Sequence, residues 1–534
     1  MTGAVIVISA FLFLGKVAGY VKEAMMSDYW GLSGGLDAFK VVYNSIIILI
    51  YTKAEKLLRP TYLPIFVQHR DKGREDEAWG FFSTTANLSF VALLTITALC
   101  TGFAPEIIAV GWPGMDAATA ALAVSLLRIS GAAMILLVMS VMVEMTLHSY
   151  KRFTAPALAE AMMRIVLPVT IFGLVAAWGM GPGEGEVGVS PQALRAAAIG
   201  VLIGAALRLL VQLPALWRKL RMYRLTLDLR NPDVVRMVRL MPPVVVGLLF
   251  SSARTFFDSR FSVDAGAGIY TALDFARKIS DAPILILPLA VSLVVYPFVS
   301  EWASRENREM FTRALVSMTR VMAFIFVPMA AGLIVLSLPA IQFLYMGEGA
   351  FTVEDSFVVR RALIPYAAGI PFFAVESSLD KWYFALSDTA TPNYVGAAAA
   401  ALHVLIAWFG VHVLGRNVGI IALALTASKG LKVIVLYALL RRRLEAISSS
   451  EVASFVLRLV IATGAMVVVL IVVSNALGGM VVDAGRIQRA LFLAICAGAG
   501  AVSYLIAAAL LRVEEVGQVT GYLRTKIAGR LRRG

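Results

Sequence analysis

Residues 452–475 read VASFVLRLVIATGAMVVVLIVVSN, a run of apolar residues with a single charge, Arg458. A helix rises about 1.5 Å per residue, so about 20 apolar residues cross the hydrocarbon core of a membrane. Similar runs recur along the 534-residue chain, which is 59% hydrophobic and 15% charged, with a mean hydropathy of +0.81. This composition excludes a soluble enzyme, a coiled coil and a disordered chain. It predicts an all-α polytopic membrane protein.

About 14 transmembrane helices are predicted from such runs. They lie at residues 4–26, 39–68, 79–103, 119–147, 154–177, 191–216, 234–261, 268–299, 312–342, 359–386, 392–412, 418–440, 452–475 and 487–511. With a cytoplasmic N-terminus, the loops after even-numbered spans, the span ends beside them and the C-terminal tail hold 24 Lys and Arg residues. The opposite loops hold Arg416, with Arg486 at the edge of a span. This asymmetry predicts that both termini are cytoplasmic.

The net charge of +14 fits basic cytoplasmic loops that contact anionic phospholipids, and it does not indicate nucleic acid as a partner. The chain has no G-x-x-x-x-G-K-[ST] phosphate loop and no H-E-x-x-H pair. Its two cysteines and four histidines are scattered. We therefore expect a transporter without a cofactor, rather than an enzyme that hydrolyses ATP or uses a metal.

Three short matches in the same order indicate an internal repeat. LDAFK at 36–40 recurs as LDFAR at 273–277, PIFV at 64–67 as PFV at 297–299, and TAP at 154–156 as TATP at 389–392, with offsets of 237, 233 and 236. The repeat predicts two pseudo-symmetric six-helix lobes plus two extra C-terminal helices, with a substrate site between the lobes. The predicted domains are 1–216 (N-lobe), 217–233 (basic linker), 234–441 (C-lobe), 442–511 (spans 13 and 14) and 512–534 (basic tail).

Charged residues inside spans usually face a protein interior or a water-filled cavity, because they are costly in hydrocarbon. The predicted substrate-binding residues are Lys16, Lys22, Glu23, Asp37, Lys53, Lys56, Arg59, Lys278 and Asp281. A cavity lined by such cations suits a phosphorylated polyanion. Lys53 to Arg59 would alternatively mark the end of a shorter helix, with side chains that reach the interface.

Three acidic residues in two spans allow two interpretations. Asp258, Glu376 and Asp380 are candidate ion-coupling residues, since carboxylate oxygens suit a hard cation such as sodium. They would alternatively pair with the nearby cations Arg254, Arg260 and Lys381. Glu160 and Arg164, four residues apart on one predicted helix, are expected to form an ion pair.

Six stretches carry a family resemblance. They are GKVAGYVKE at 15–23, DAF at 37–39, RFTAPAL at 152–158, GEGAF at 347–351, YFALSDTATP at 383–392 and NVG at 417–419. They resemble the MviN/MurJ family, the lipid II flippases of bacterial peptidoglycan synthesis, within the multidrug/oligosaccharidyl-lipid/polysaccharide exporter superfamily. The resemblance implies a flippase in the inner membrane that works by alternating access. A cationic cavity would hold the diphosphate headgroup, and spans 13 and 14 would form a groove for the lipid tail.

The resemblance also implies roles for individual residues of this sequence. The family's first-helix arginines fall at Lys16 and Lys22, and its eighth-helix arginine and acid fall at Lys278 and Asp281. The arginine pair of its second helix is replaced by Ile50 and Tyr51. At positions 16, 22 and 278 lysine replaces arginine, and an ammonium group cannot make the paired hydrogen bonds that a guanidinium makes to phosphate. This replacement therefore affects how phosphate would be bound.

Several functions therefore stay open at this stage. The substrate is lipid II or another polyprenyl-diphosphate oligosaccharide, of O-antigen, capsule or exopolysaccharide. The energy source is sodium, protons or the membrane potential. Other classes are a multidrug/cation antiporter, which the basic spans disfavour, and a scaffold that recruits cell-wall synthesis enzymes.

Overall fold

The computed structural model describes residues 2–177, 191–284, 298–303, 305, 307–415, 418–445, 448–478 and 485–515. Over these residues the chain forms helices and no strands. Ten helices are long and apolar enough to cross a membrane, or up to 12 if each of two bent helix pairs is one span. The predicted class, an all-α polytopic membrane protein, is confirmed.

The predicted count of fourteen is compatible with these helices. The first predicted span is helical throughout, within Thr2–Trp30. Part of the eighth, 285–297, lies outside the described residues, as do 178–190, Arg416 and the tail from 516.

The chain divides into two compact units, of which the first is Met1–Thr271 with Tyr345–Thr352. Its helices are α1 (Thr2–Trp30), α2 (Gly34–Lys40), α3 (Ile48–Asp71), α4 (Glu75–Gly102), α5 (Ala104–Gly111), α6 (Ala117–Ser130), α7 (Ala133–Ser149), α8 (Thr154–Ala177), α9 (Pro191–Leu210), α10 (Leu213–Leu216), α11 (Pro232–Asp264) and the start of α12 (Ile269–Asp281). A π-helical turn, Val41–Ile47, joins α2 to α3.

Local chemistry sets several of these boundaries. The Ser33 side chain accepts a hydrogen bond from the Leu36 amide at the start of α2, and Asp116 does the same for the amides of Ala118 and Thr119 at the start of α6. These side chains satisfy amides that a helix leaves without a partner. Helices α6 and α7 bend by 42° at their junction, where a Cβ on Gly131 would lie 2.7 Å from Thr101. Glycine therefore permits this close approach.

The second unit is Ala272–Leu344 with Val353–Gly534. Its helices are the rest of α12, α13 (Arg308–Val335), α14 (Ser337–Tyr345), α15 (Val353–Ala385), α16 (Ala390–His412), α17 (Val418–Arg441), α18 (Ser449–Ala476) and α19 (Arg486–Leu510). Asn307 and Ser448 cap α13 and α18 through their side chains. Trp382 and Tyr383 pack in the core of α13, α15 and α17, while α18 and α19 form a separate core with α13.

The predicted repeat has a counterpart in the backbone. Lys151 and Ser387 both adopt a φ of 58°, and they lie 236 residues apart, which is the offset of the TAP and TATP matches. The compact units do not follow the predicted lobe boundary, because α11 packs in the first unit on α3 and α4. The predicted domain boundaries stay a prediction.

Apolar side chains are exposed along many helices, as at Leu94 on α4, Phe172 on α8 and Val468 on α18. Only 28% of the apolar window of α18 is buried inside the protein. Soluble proteins rarely expose apolar surface over such lengths, so these faces fit contact with lipid acyl chains.

Candidate functional site

Glu23 is the centre of a charge cluster where α1 meets α2. Its carboxylate is 2.6 Å from Lys22 Nζ and 3.4 Å from Lys40 Nζ, and its side chain is 4% exposed. The Lys22 ammonium also lies 5.3 Å from the centre of the Tyr43 ring. Two ammonium groups thus share one carboxylate, so these three charges sum to one positive charge. Lys40, which is buried, was not among the predicted site residues.

Lys16 lies about two turns before Lys22 on α1 and is exposed. It makes no ion pair with any residue that the structure describes. Of the two predicted first-helix cations, Lys22 is therefore bound by Glu23, and Lys16 is open to a ligand.

Asp37 holds the beginning of α12. Its carboxylate oxygens accept hydrogen bonds from the amides of Gly268 (2.6 Å) and Thr271 (2.7 Å), and from the Thr271 hydroxyl (2.6 Å). A carboxylate in this place satisfies helix-start amides and interacts favourably with the helix dipole. Both carboxylate oxygens of Asp37 therefore accept hydrogen bonds from the protein. The substrate-binding role of Asp37 stays a prediction.

Lys53, Lys56 and Arg59 form a cationic stripe along α3, and their side chains lie in three different environments. Lys53 Nζ donates to Ser251 Oγ on α11 at 2.7 Å. Lys56 is exposed and has no ion pair within the described residues. Arg59 pairs with Glu55 at 2.7 Å and with Glu144 at 3.4 Å. Lys56 is therefore the cation of this stripe that is most available to an anion.

A buried network on the first unit was not predicted. The Arg208 guanidinium on α9 lies 3.1 Å from Glu144 on α7 and 2.9 Å from Glu160 on α8. It also lies 4.8 Å from the centre of the Tyr51 ring. The expected Glu160–Arg164 pair forms at 2.8 Å within this network. The available signal was the presence of Glu144, Glu160 and Arg208 in apolar helices, because a charged side chain inside a span needs a partner within the protein.

The two predicted residues of α12 have separate partners. Lys278 Nζ pairs with Asp274 at 2.7 Å, one turn earlier on the same helix. Asp281 pairs with Arg277 at 3.5 Å. Both pairs are partly exposed, so water screens them and they contribute little to stability.

The candidate ion-coupling acids also lie beside cations. Asp258 is 3.5 Å from Arg254, the partner expected from the alternative interpretation. The Glu376 carboxylate on α15 lies 2.6 Å from both Lys429 Nζ and Lys432 Nζ of α17, and Asp380 lies 3.9 Å from Lys432. Lys381, the partner expected for Glu376 and Asp380, has its ammonium 5.5 Å from the Phe384 ring. Within the described residues no three His, Cys, Asp or Glu side chains gather in a metal-binding group.

Comparisons with known proteins agree with this architecture. Residues 26–483 match the family model described as "Lipid II flippase MurJ". The "Probable lipid II flippase MurJ" of Vibrio cholerae is 24% identical over 95% of this chain and 96% of its own length. The "Lipid II flippase MurJ" of Thermosipho africanus is 25% identical over 81% of this chain and 84% of its own.

Solved structures show the same fold. A "Lipid II flippase MurJ, inward closed conformation" aligns with a TM-score of 0.75 at 20% identity, over 95% of this chain and 98% of that one. An inward-facing multidrug resistance MATE transporter of the MOP superfamily aligns with a TM-score of 0.64 at 16% identity, over 82% of this chain and 97% of that one. Because the family match covers most of the sequence, this chain belongs to the lipid II flippase MurJ family.

Proposed function

We propose that this multi-pass membrane protein carries lipid II from the cytoplasmic to the outer leaflet of the bacterial inner membrane by alternating access. Its family consists of flippases, which move a lipid and catalyse no covalent reaction. The observation that carries the proposal is the family match over residues 26–483. The charges of the first unit give it a chemical basis.

The first unit has more cations than acids in the predicted binding region. Lys16 and Lys56 lack an acid within the described residues, and Lys22 shares Glu23 with Lys40. A diphosphate would supply the missing negative charge, and ammonium groups bind phosphate as point charges. Lys16, Lys22 and Lys56 are therefore the proposed diphosphate ligands. Glu23 is proposed to position Lys22 through their ion pair, whereas the substrate-binding roles of Lys53, Arg59, Lys278 and Asp281, which have partners of their own, stay predictions.

The orientation of the chain is part of the proposal. Basic loops after the even-numbered spans support cytoplasmic N- and C-termini. Anionic phospholipids are then the expected lipid neighbours of those loops. Cell-wall synthesis enzymes are proposed partners because they supply and consume lipid II on the two sides of the membrane.

Rescue of a bacterium depleted of its own flippase tests the cationic ligands. We expect Lys16→Ala with Lys56→Ala to lose rescue at normal membrane expression, because the diphosphate loses two charges. Lys72→Ala is the matched control, since Lys72 is an exposed lysine of the loop after α3. Full rescue by the double variant would overturn the proposed role of these two lysines.

Native mass spectrometry of the purified full chain tests the substrate itself. A co-purified lipid with the mass of lipid II supports the proposal. A different polyprenyl-diphosphate oligosaccharide would overturn lipid II as the substrate and favour the second candidate. That candidate is supported by the replacement of the family's second-helix arginine pair with Ile50 and Tyr51.

We also propose that transport is coupled to sodium or to the membrane potential. Glu376 has two ammonium partners, so a sodium ion would have to displace lysine there. Asp258 lies 3.5 Å from Arg254, a longer contact than the lysines make with Glu376, and it is the proposed ion-coupling residue. Sodium-dependent transport that is lost in Asp258→Asn but kept in Glu376→Gln would support this assignment.

A further inference from the structure

The segment between α10 and α11, residues 217–230, combines exposed apolar side chains with basic ones. Trp217 is 69% exposed, Leu225 87% and Leu227 56%. The segment holds five basic residues and one acid, Asp228. None of the predicted substrate-binding residues lies in this segment, so its composition needs a separate explanation.

The segment is fixed to the first unit through its backbone. The Asn87 side-chain amide donates to the carbonyl oxygens of Arg224 (3.2 Å) and Thr226 (2.8 Å). The Arg224 amide donates to Ser83 Oγ at 3.0 Å, and the Tyr223 hydroxyl donates to Asn87 Oδ1 at 2.5 Å. The exposed leucines therefore belong to a well-anchored stretch of chain, and their exposure is built into the fold.

The anchoring residues place the segment at the edge of the apolar belt. Ser83 and Asn87 are buried on α4, whereas Phe90, Val91 and Leu94 of the same helix are exposed. At about 1.5 Å per residue, the lipid-facing surface begins within about 5 Å of Asn87 along the helix axis. Residues 223–227 thus lie at the level where hydrocarbon gives way to headgroups. Side chains of tryptophan, tyrosine and arginine are favoured at this level.

The charges of the segment lack partners within the protein. Arg218, Arg221 and Arg224 make no ion pair with any described residue. An open cavity of 820 Å³ beside them is lined by Arg152, Trp217, Arg218 and Lys219, together with residues 214–216. Lys219 pairs with Glu75, and Arg152 donates to the Ala215 carbonyl oxygen. Arg218 is the guanidinium of this cavity without an acceptor among the described residues.

We propose that residues 217–230 bind anionic phospholipid in the adjacent leaflet, which is the cytoplasmic leaflet in the proposed orientation. The guanidinium groups of Arg218, Arg221 and Arg224 bind lipid phosphates, and Trp217, Leu225 and Leu227 enter the outer part of the acyl layer. Charge complementarity selects anionic lipid, because each basic residue near such a surface adds attraction. The proposal concerns the lipid around the protein and does not depend on which lipid is transported.

Native mass spectrometry of the full chain in mild detergent tests the charge requirement, with phosphatidylglycerol and phosphatidylcholine as probes. Wild type is expected to prefer phosphatidylglycerol. Replacing Arg218, Arg221 and Arg224 by Gln should weaken phosphatidylglycerol binding by about a hundredfold, at about 1 kcal/mol for each charge, and leave phosphatidylcholine binding unchanged. Replacing the same three residues by Lys should keep most of the preference.

The matched control removes three charges elsewhere. Arg308, Arg441 and Arg442 are exposed, lie in loops or at helix ends on the same predicted side, and make no ion pair within the described residues. Their replacement by Gln should keep the preference of this segment for phosphatidylglycerol. Equal losses in the two triple variants would overturn the proposal, because the effect would then follow net charge.

Tryptophan quenching tests the depth of the segment independently. Phosphatidylglycerol with brominated acyl chains should quench a component of the emission that disappears in Trp217→Phe. Leu225→Gln with Leu227→Gln should reduce that component while leaving the charges in place. If Trp217 is not quenched in membranes, the segment faces water or another protein, and the proposal is wrong.

Discussion

The two units contain buried charge networks of opposite design. In the first, one cation, Arg208, lies between two acids on different helices, Glu144 and Glu160. In the second, one acid, Glu376, lies between two cations of a single helix, Lys429 and Lys432. The central cation belongs to the sixth predicted span and the two lysines belong to the twelfth, which are equivalent in the repeat. The acids Glu144 and Glu376 lie on the fourth and tenth predicted spans, which are also equivalent, so the repeat keeps an acid-to-cation contact between these helices and changes which charge has two partners.

The difference has a mechanical consequence. The fork of a guanidinium reaches two carboxylates at once, so Arg208 joins α7, α8 and α9. Glu376 joins only α15 and α17, and both of its cations have long flexible stems. The first network should therefore be the more costly one to break.

Arg208→Met is expected to have the largest effect. It removes the buried cation between Glu144 and Glu160 and leaves them only the more exposed Arg59 and Arg164, and loss of one partner from a buried ion pair destabilises by about 3–5 kcal/mol. The measurement is the thermal unfolding midpoint of the purified protein in detergent. Arg195→Met is the control, because Arg195 is exposed on the same helix and has no ion pair within the described residues. Equal midpoints for the two variants would show that the network contributes little.

Glu376→Gln should destabilise less, by about 2–3 kcal/mol, although it leaves two ammonium groups without their central acid. Asp380 lies 3.9 Å from Lys432 and supplies part of the missing charge, and lysine stems can reach toward water. Glu354→Gln, at an exposed position on the same helix, is the control. Replacing Glu376, Lys429 and Lys432 together by Met should restore stability, since apolar residues can replace a buried ionic group. A larger loss for Glu376→Gln than for Arg208→Met would contradict the comparison.

A smaller effect is expected where the two repeats differ in an N-terminal cap. Asp388 accepts hydrogen bonds from the Thr391 amide and hydroxyl, both at 3.0 Å, whereas the repeat offset puts Arg152 at the equivalent position. The backbone hydrogen bond from Thr391 holds the pKa of Asp388 below its usual range. Because asparagine also accepts hydrogen bonds at this position, Asp388→Asn removes mainly the charge and should cost about 0.3–1 kcal/mol at neutral pH.

The pH dependence of this cap follows from the direction of its pKa shift. The folded protein binds the Asp388 proton more weakly than the unfolded chain does, so the stabilisation is present above the unfolded pKa of 3.8. It is lost as the pH falls through the lower folded value. Unfolding midpoints of wild type and Asp388→Asn should accordingly converge at acidic pH. A difference that persists unchanged to pH 3 would contradict this origin.

The helices and their approximate bounds could be predicted from the sequence, because a membrane imposes one requirement on every span. For example, the predicted span 418–440 corresponds to α17, which is Val418–Arg441. The backbone match of Lys151 and Ser387 likewise agrees with an offset visible in three short motifs. The packing of α11 with the first unit could not be predicted, because hydropathy does not show which helices contact one another.

Charge partners were harder to predict than charged positions. Sequence proximity favoured Lys381 as the partner of Glu376, yet Lys429 and Lys432 come from a helix about 50 residues later. Their spacing of three on an apolar helix was the available signal, because intramembrane lysines one turn apart share a face and need an acid. Burial of Lys40 beside Glu23 likewise depends on how α1 meets α2, which no local pattern specifies.

Glycine at a residue whose backbone is in the left-handed region should give the smallest effect on stability. This replacement tests whether the two repeats have equivalent backbone conformations. Lys151 and Ser387 are exposed and both have a φ of 58°, where glycine has no steric penalty. Lys151→Gly and Ser387→Gly should each raise stability by at most about 0.5–1 kcal/mol, because relief of this strain is opposed by the greater freedom of glycine in the unfolded chain. The two thermal midpoints should shift in the same direction and by similar amounts. Opposite shifts would show that the surroundings, which differ at Arg152 and Asp388, outweigh the shared backbone conformation.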